Sequence, residues 1–168
     1  MPFWKGWYSH KFKGPGLRYE VAVSILSDDI VWTNGPFPAG KFADITIFRR
    51  GLKQMLEAAG ERCEADAGYK GEPLTIELPD EGIFFGVQDD QVQQGELQRK
   101  LKDRIRSRHE SVNGRLKCFG CLEQRFRHKL CYHRFCFNAV VAIVQIGMQY
   151  GGEVLMEIDE YKTKNMNL

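Results

Sequence analysis

The sequence lacks the marks of secretion and of membrane insertion. No Asn-x-Ser/Thr sequon occurs in its 168 residues, and no N-terminal stretch has the apolar core of a signal peptide. The most apolar run, Phe135 to Met148, is interrupted by Asn138 and Gln145. It is shorter than the roughly 20 residues that span a bilayer. Cysteine is sparse and odd in number, five in a chain too long to need a disulfide framework. There are no internal repeats and no low-complexity tract. Lys13-Gly-Pro-Gly16 is a turn signal and not a phosphate loop, because no helix carrying Lys-Ser/Thr follows it. These absences predict a soluble protein of a reducing, intracellular compartment with no membrane partner.

What is present is one domain's length of chain with an uneven charge. The formal net charge is +2. Residues 99–134 hold twelve Lys/Arg against three Asp/Glu, +9, which leaves −7 for the rest. Such segregation points to a polyanionic partner on one face.

The element order reads as α/β. Leu17 to Ile25 alternates and is rich in β-branched residues, predicting a strand; Ser27-Asp-Asp29 is a turn, and Ile30 to Thr33 a second strand. A helix is predicted from Asp44 to about Ala59, stopped by Gly60, with Ile45, Phe48, Leu52 and Leu56 at helical spacing. Glu61 to Asp66 is a short strand. Residues 71–94 read as an insertion, with a small hairpin built from PLTIELP and GIFFGV. A long helix spans about 94–117 with a buried stripe of Leu97, Leu101, Ile105, Val112 and Leu116. The last helix, about 132–149, is apolar on nearly all sides and is expected to be central. Residues 153–158 are a final extended segment.

The densest chemistry lies in Arg104 to Gly120, RIRSRHESVNGRLKCFG. On one helix Arg99, Arg106, Glu110, Asn113 and Lys117 share a face. A single carboxylate among cations reads in two ways: a solvated salt-bridge network of little energetic weight, or a metal ligand beside groups that grip phosphates.

The arrangement R-x-R-H-E-x-x-N-x-R-L-K-x-F-G resembles the last motif of the Harbinger-type DDE transposases and the nucleases derived from them. Glu64-Ala-Asp-Ala-Gly-Tyr69 resembles that family's D-x-G-Y motif. Gly35-Pro-Phe-Pro-Ala-Gly40 with Asp44-Ile-Thr-Ile-Phe-Arg49 resembles its G-x-x-x-D-x-x-I-F-R loop and helix. The three motifs stand in the family's order, and the resemblance covers roughly residues 3–158.

The resemblance implies an RNase H-like fold, a mixed sheet flanked by helices. It also implies metal-dependent cleavage of DNA phosphodiester bonds in the nucleus, with Mg²⁺ or Mn²⁺ held by three carboxylates. Asp66 and Glu110 take the second and third places. The first aspartate, on a D-G-T-like central strand before Phe3-Trp-Lys-Gly-Trp-Tyr-Ser-His-Lys-Phe12, has no counterpart. The expectation is therefore a partial domain without its first, central strand, with weak metal binding and little or no cleavage. Asp28 and Asp29 fall at the wrong end of the sheet to replace the missing ligand. Asp44 is the best remaining acid, its default role being to cap its helix. Arg106, Arg108, Asn113, Arg115, Lys117, Arg125 and Arg127 are candidate DNA contacts, and sequence reading of the target falls to a separate protein. On a straight helix Glu110 lies almost opposite the buried stripe, so either the helix kinks near Ser107–His109 or the site opens to the polar face.

Two rivals remain. One is a non-catalytic DNA-binding remnant that uses the basic 99–134 face alone. The other is a zinc-stabilised interaction domain built on Cys118, Cys121, His128, Cys131, His133 and Cys136.

Overall fold

A computed structural model describes residues 5–11, 13–27, 29–78 and 91–150. The chain is mixed α/β, with small sheets and five α-helices among these residues. It divides into two compact units: residues 1–21 with 32–99, and residues 22–31 with 100–168.

In the first unit, β1 (Tyr8–Ser9) pairs antiparallel with β2 (Gly14–Pro15), and the turn residues His10, Lys11 and Lys13 lie between them; the expected Gly-Pro-Gly turn is corrected, since Gly14 and Pro15 are strand. β3 (Leu17–Val23) and β4 (Ile30–Pro38), of which residues 17–21 and 32–38 belong to this unit, form a second two-stranded sheet; β4 runs further than its β-branched start predicts, through Pro38. The predicted helix over 44–59 is two helices, α1 (Asp44–Phe48) and α2 (Leu52–Ala59). The break is at Gly51, where a Cβ would stand 2.8 Å from Trp32 Cζ2 and 2.9 Å from Asn34 Nδ2. Helical periodicity continues across the break, so the apolar spacing alone does not reveal it. Gly60, at φ 68°, ends α2 in the left-handed region as predicted.

Only two residues of the expected strand at 61–66 pair: β5 (Cys63–Glu64) lies parallel to β6 (Ile76–Glu77). Ile76–Glu77, within the run PLTIELP, is thus a parallel neighbour of β5. GIFFGV, and the extended segment expected at 153–158, lie outside the described residues. The core of this unit is Ile47, Phe48, Leu52, Leu56 and Ile76, with Phe48 and Ile47 sealed almost completely. Phe48 meets the Tyr69 ring edge-to-face at 6.0 Å.

The second unit contains most of α3 (Gln91–Lys117), then α4 (Gly120–Glu123) and α5 (His133–Tyr150). Val112 and Leu116 are buried as expected, whereas Leu101 and Ile105 are half-buried; the side chain of Leu97 lies outside the described residues. Two cations, Lys102 and Arg108, are buried on the same helix.

α5 is buried on one stripe, His133, Phe137, Val140 and Val144, while Phe135, Ile143, Ile146 and Tyr150 are exposed. The expectation of an enclosed, central helix is corrected: apolar composition on all sides does not require burial on all sides. With the 3₁₀ turn before it, the stretch Leu130–Tyr150 is long and apolar enough, by length and composition alone, to cross a membrane. Gln145, which interrupts the apolar run in the sequence, has a structural task. It accepts from Ile30 N at 2.7 Å and donates to Asp29 Oδ1 at 2.6 Å, and Gln149 donates to the same oxygen at 3.0 Å.

Phe48→Ala should cost about 3–5 kcal/mol, the range for emptying a sealed aromatic site. The exposed Met55→Ala should stay within about 0.5 kcal/mol. Urea unfolding followed by circular dichroism measures both, and equal midpoints would contradict the core assignment.

Candidate functional site

Asp66 leaves β5 and caps the 3₁₀ turn Ala67–Tyr69: its Oδ1 accepts from Gly68 N at 2.8 Å. Asp44 opens α1 but does not cap it; Ala43 holds the cap position and offers no side-chain bond. Asp44 is instead taken by Arg18, whose Nη1 donates to Asp44 Oδ1 at 2.8 Å and to the Phe42 carbonyl at 2.8 Å. The two aspartates converge on Gly68, where a Cβ would stand 2.9 Å from Asp66 Oδ1 and 3.2 Å from Asp44 Oδ2. A side chain at 68 would push both carboxylates away, so the glycine of the D-x-G-Y pattern is explained by crowding.

Partial burial pushes the Asp44 carboxyl above the ordinary carboxylate range and the Arg18 guanidinium pulls it back; the negative charge of Asp66 adds to the rise. The Tyr69 phenol, half-buried among Glu20, Asp44, Asp66 and Cys63, is pushed well above its ordinary range, chiefly by burial. Burial likewise drives the Cys63 thiol up to about 12, which makes it an unreactive structural cysteine.

Sequence reading missed two members of this neighbourhood. Arg18 and Glu20 stand two apart on β3. Glu20 is almost fully enclosed, its Oε2 accepts from Trp32 Nε1 at 2.9 Å, and its Oε1 has no hydrogen-bond partner. The available signal was a pair of charges two apart in a strand of otherwise apolar alternation.

Among the described residues no group of three or more His, Cys, Asp or Glu is placed to hold a metal; within the first unit two carboxylates, Asp44 and Asp66, converge. One of the two carboxylates that converge is also neutralised by Arg18. Asp44 therefore stands beside Asp66 as expected, but as a salt-bridge partner.

Glu110 belongs to the second unit and is exposed on α3, which is continuous through Ser107–His109. Arg106, Lys117, Arg125 and Arg127 are exposed; Asn113 and Arg115 are half-buried, and Asn113 Nδ2 lies 3.2 Å from the His109 ring. Arg108 is the exception among the expected phosphate contacts. It is buried, and its Nη1 donates to the Ile25 carbonyl at 2.6 Å, so it is a structural cation. The six Cys and His residues of the zinc reading do not gather: all the cysteines are free, Cys118 and Cys131 are exposed, and buried His133 packs against Phe126 with ring centroids 4.7 Å apart.

Comparison with family models, with curated proteins and with solved structures finds no match to this chain.

Two outcomes follow. The folded-state pKa of Glu20 is raised, first by burial, with the hydrogen bonds from Trp32 and Asn34 opposing it and the charge of Asp44 adding to it. The native state thus binds that proton more tightly than the unfolded chain does. Stability from this group is fully present below about pH 4.5 and is lost as pH rises through the folded pKa. Glu20→Gln, which keeps an acceptor for Trp32, should gain stability relative to the parent as pH rises from 4 to 7. Thermal melts across that range measure it, and a constant difference would contradict the burial assignment. Separately, excess EDTA should leave the melting temperature unchanged; a fall would restore the zinc reading.

Proposed function

We propose that this chain is a transposase-derived, Harbinger-type DDE domain that holds DNA without cutting it efficiently. The RNase H-like arrangement belongs to this proposal as its fold. The observation that carries it is the exposure of Arg106, Lys117, Arg125 and Arg127 within a segment of net charge +9. The order of the three motifs, and the crowding of Asp66 and Asp44 around Gly68, support the lineage.

The chemistry available to these residues is grip. Guanidinium forks and ammonium groups replace the counterions of successive phosphates. Glu110, exposed among them, repels a phosphodiester that approaches it. In a DDE enzyme the third carboxylate becomes an asset when a divalent ion is bound. The donor set here does not supply that arrangement, so no hydrolytic step is assigned to it. A separate protein reads the target sequence, and the compartment is the nucleus.

Gel-shift titration of a 30-base-pair duplex, run beside Mg²⁺- and Mn²⁺-dependent plasmid nicking, tests the reading. Asp66→Asn should leave binding unchanged. Glu110→Gln should tighten it, about twofold to fivefold for one repulsive charge removed in water. The parent should nick no faster than either variant. Nicking by the parent that both substitutions abolish would make the chain a working nuclease and overturn the proposal; absence of DNA binding would overturn it from the other side.

A further inference from the structure

The segment between α4 and the first turn of α5 has a construction of its own. From Gln124 to Phe135 there is no acidic residue. Exposure alternates along its start: Arg125 and Arg127 are exposed and Phe126 between them is half-buried. The Phe126 ring packs on buried His133 at 4.7 Å and on His128 at 5.6 Å. That contact pins the loop to the start of α5, so its cations share one local surface with the groups exposed there. Two of those groups are aromatic: Tyr132 is 52% exposed and Phe135 69%.

Large aromatic faces left in water beside a run of cations need an explanation that cations alone do not give. Duplex DNA offers phosphates to Arg125 and Arg127, but its bases are stacked on one another and leave nothing for Tyr132 and Phe135 to cover. A single strand offers both surfaces. Residues two apart in extended chain stand roughly 7 Å apart, a separation in the range of successive phosphates on one strand, and unstacked bases lie flat on aromatic rings. We infer that this junction is a binding site for single-stranded nucleic acid, with Arg125 and Arg127 on the phosphates and Tyr132 and Phe135 stacking on bases. Phe126 and His133 act as positioning residues that hold the loop against the helix. The inference rests on the DNA-binding reading above and deepens it by naming an unpaired strand as the preferred substrate form.

Fluorescence anisotropy with a 5′-labelled dT20 oligonucleotide and a labelled 20-base-pair duplex separates the two claims. Tyr132→Ala with Phe135→Ala removes only exposed side chains, and circular dichroism checks that the fold is kept. The double variant should lose about tenfold or more in affinity for dT20, as expected for two lost stacking contacts. Its affinity for the duplex should change by about twofold or less, since the phosphate contacts remain. Tyr132→Phe with Phe135→Tyr should bind dT20 like the parent, because both rings persist. An unchanged dT20 affinity in the alanine variant, or an equal loss for dT20 and duplex, would overturn this inference and leave the DNA reading standing. Absence of binding to either oligonucleotide would overturn both. Preferential binding of anionic phospholipid vesicles over dT20 would assign the cation-and-aromatic surface to a membrane and overturn it as well.

Discussion

The arrangement around Arg18 sets what the first unit can do. One guanidinium nitrogen donates to the carbonyl of Phe42 and to the carboxylate of Asp44, tying β3 to the entrance of α1. The pair is about one-third exposed on each side, so as a source of stability it is worth about 1 kcal/mol or less. Stability comes from the sealed side chains beneath it, Ile47, Phe48 and Ile76. The weight of the ion pair is positional. It fixes Asp44 across Gly68 from Asp66 and answers one of the two charges with an internal cation.

The second unit depends on polar ties to a comparable degree. The turn between β3 and β4 is held by the Gln145–Asp29–Gln149 cluster on α5 and by Arg108 on α3, which reaches the Ile25 carbonyl. Burying a guanidinium is tolerable because a carbonyl receives it. The consequence for function is a sorting of cations. Lys102 and Arg108 are withdrawn into the structure, while Arg106, Lys117, Arg125 and Arg127 stay in water. Net charge alone does not distinguish the two groups.

Much of the local structure was legible in the sequence. Alternation found β3, the apolar spacing of Ile45, Phe48, Leu52 and Leu56 found the helical stretch although Ile47 and not Ile45 is the sealed isoleucine, and the long helix ends at Lys117 as its pattern indicates. What escaped has particular causes. The break at Gly51 is set by the approach of Trp32 and Asn34, which are distant in sequence. The parallel pairing of Ile76–Glu77 with Cys63–Glu64 depends on chain reversal, about which two-residue strands carry almost no pattern. α5 looked central because hydrophobicity was read without a facing partner. At the site, Asp66 was indicated by the family resemblance and Asp44 by its place after the second strand of the hairpin, but Arg18 and Glu20 were passed over because charges on a strand read as its solvent face. Arg108 was placed on the wrong side because the buried stripe was drawn from apolar residues only.

The central claim is that this chain grips nucleic acid by neutralising phosphates with a defined set of exposed cations. The most direct measurement is the affinity for a 20-base-pair duplex as a function of salt between about 50 and 200 mM. Each phosphate contact contributes about −0.9 to the slope of log Kobs against log salt. The account predicts a slope of roughly −3 to −4 for the parent, and a slope close to zero when Arg106, Lys117, Arg125 and Arg127 are all replaced by alanine. Salt-independent binding by the parent, or an unchanged slope in the fourfold variant, would contradict it.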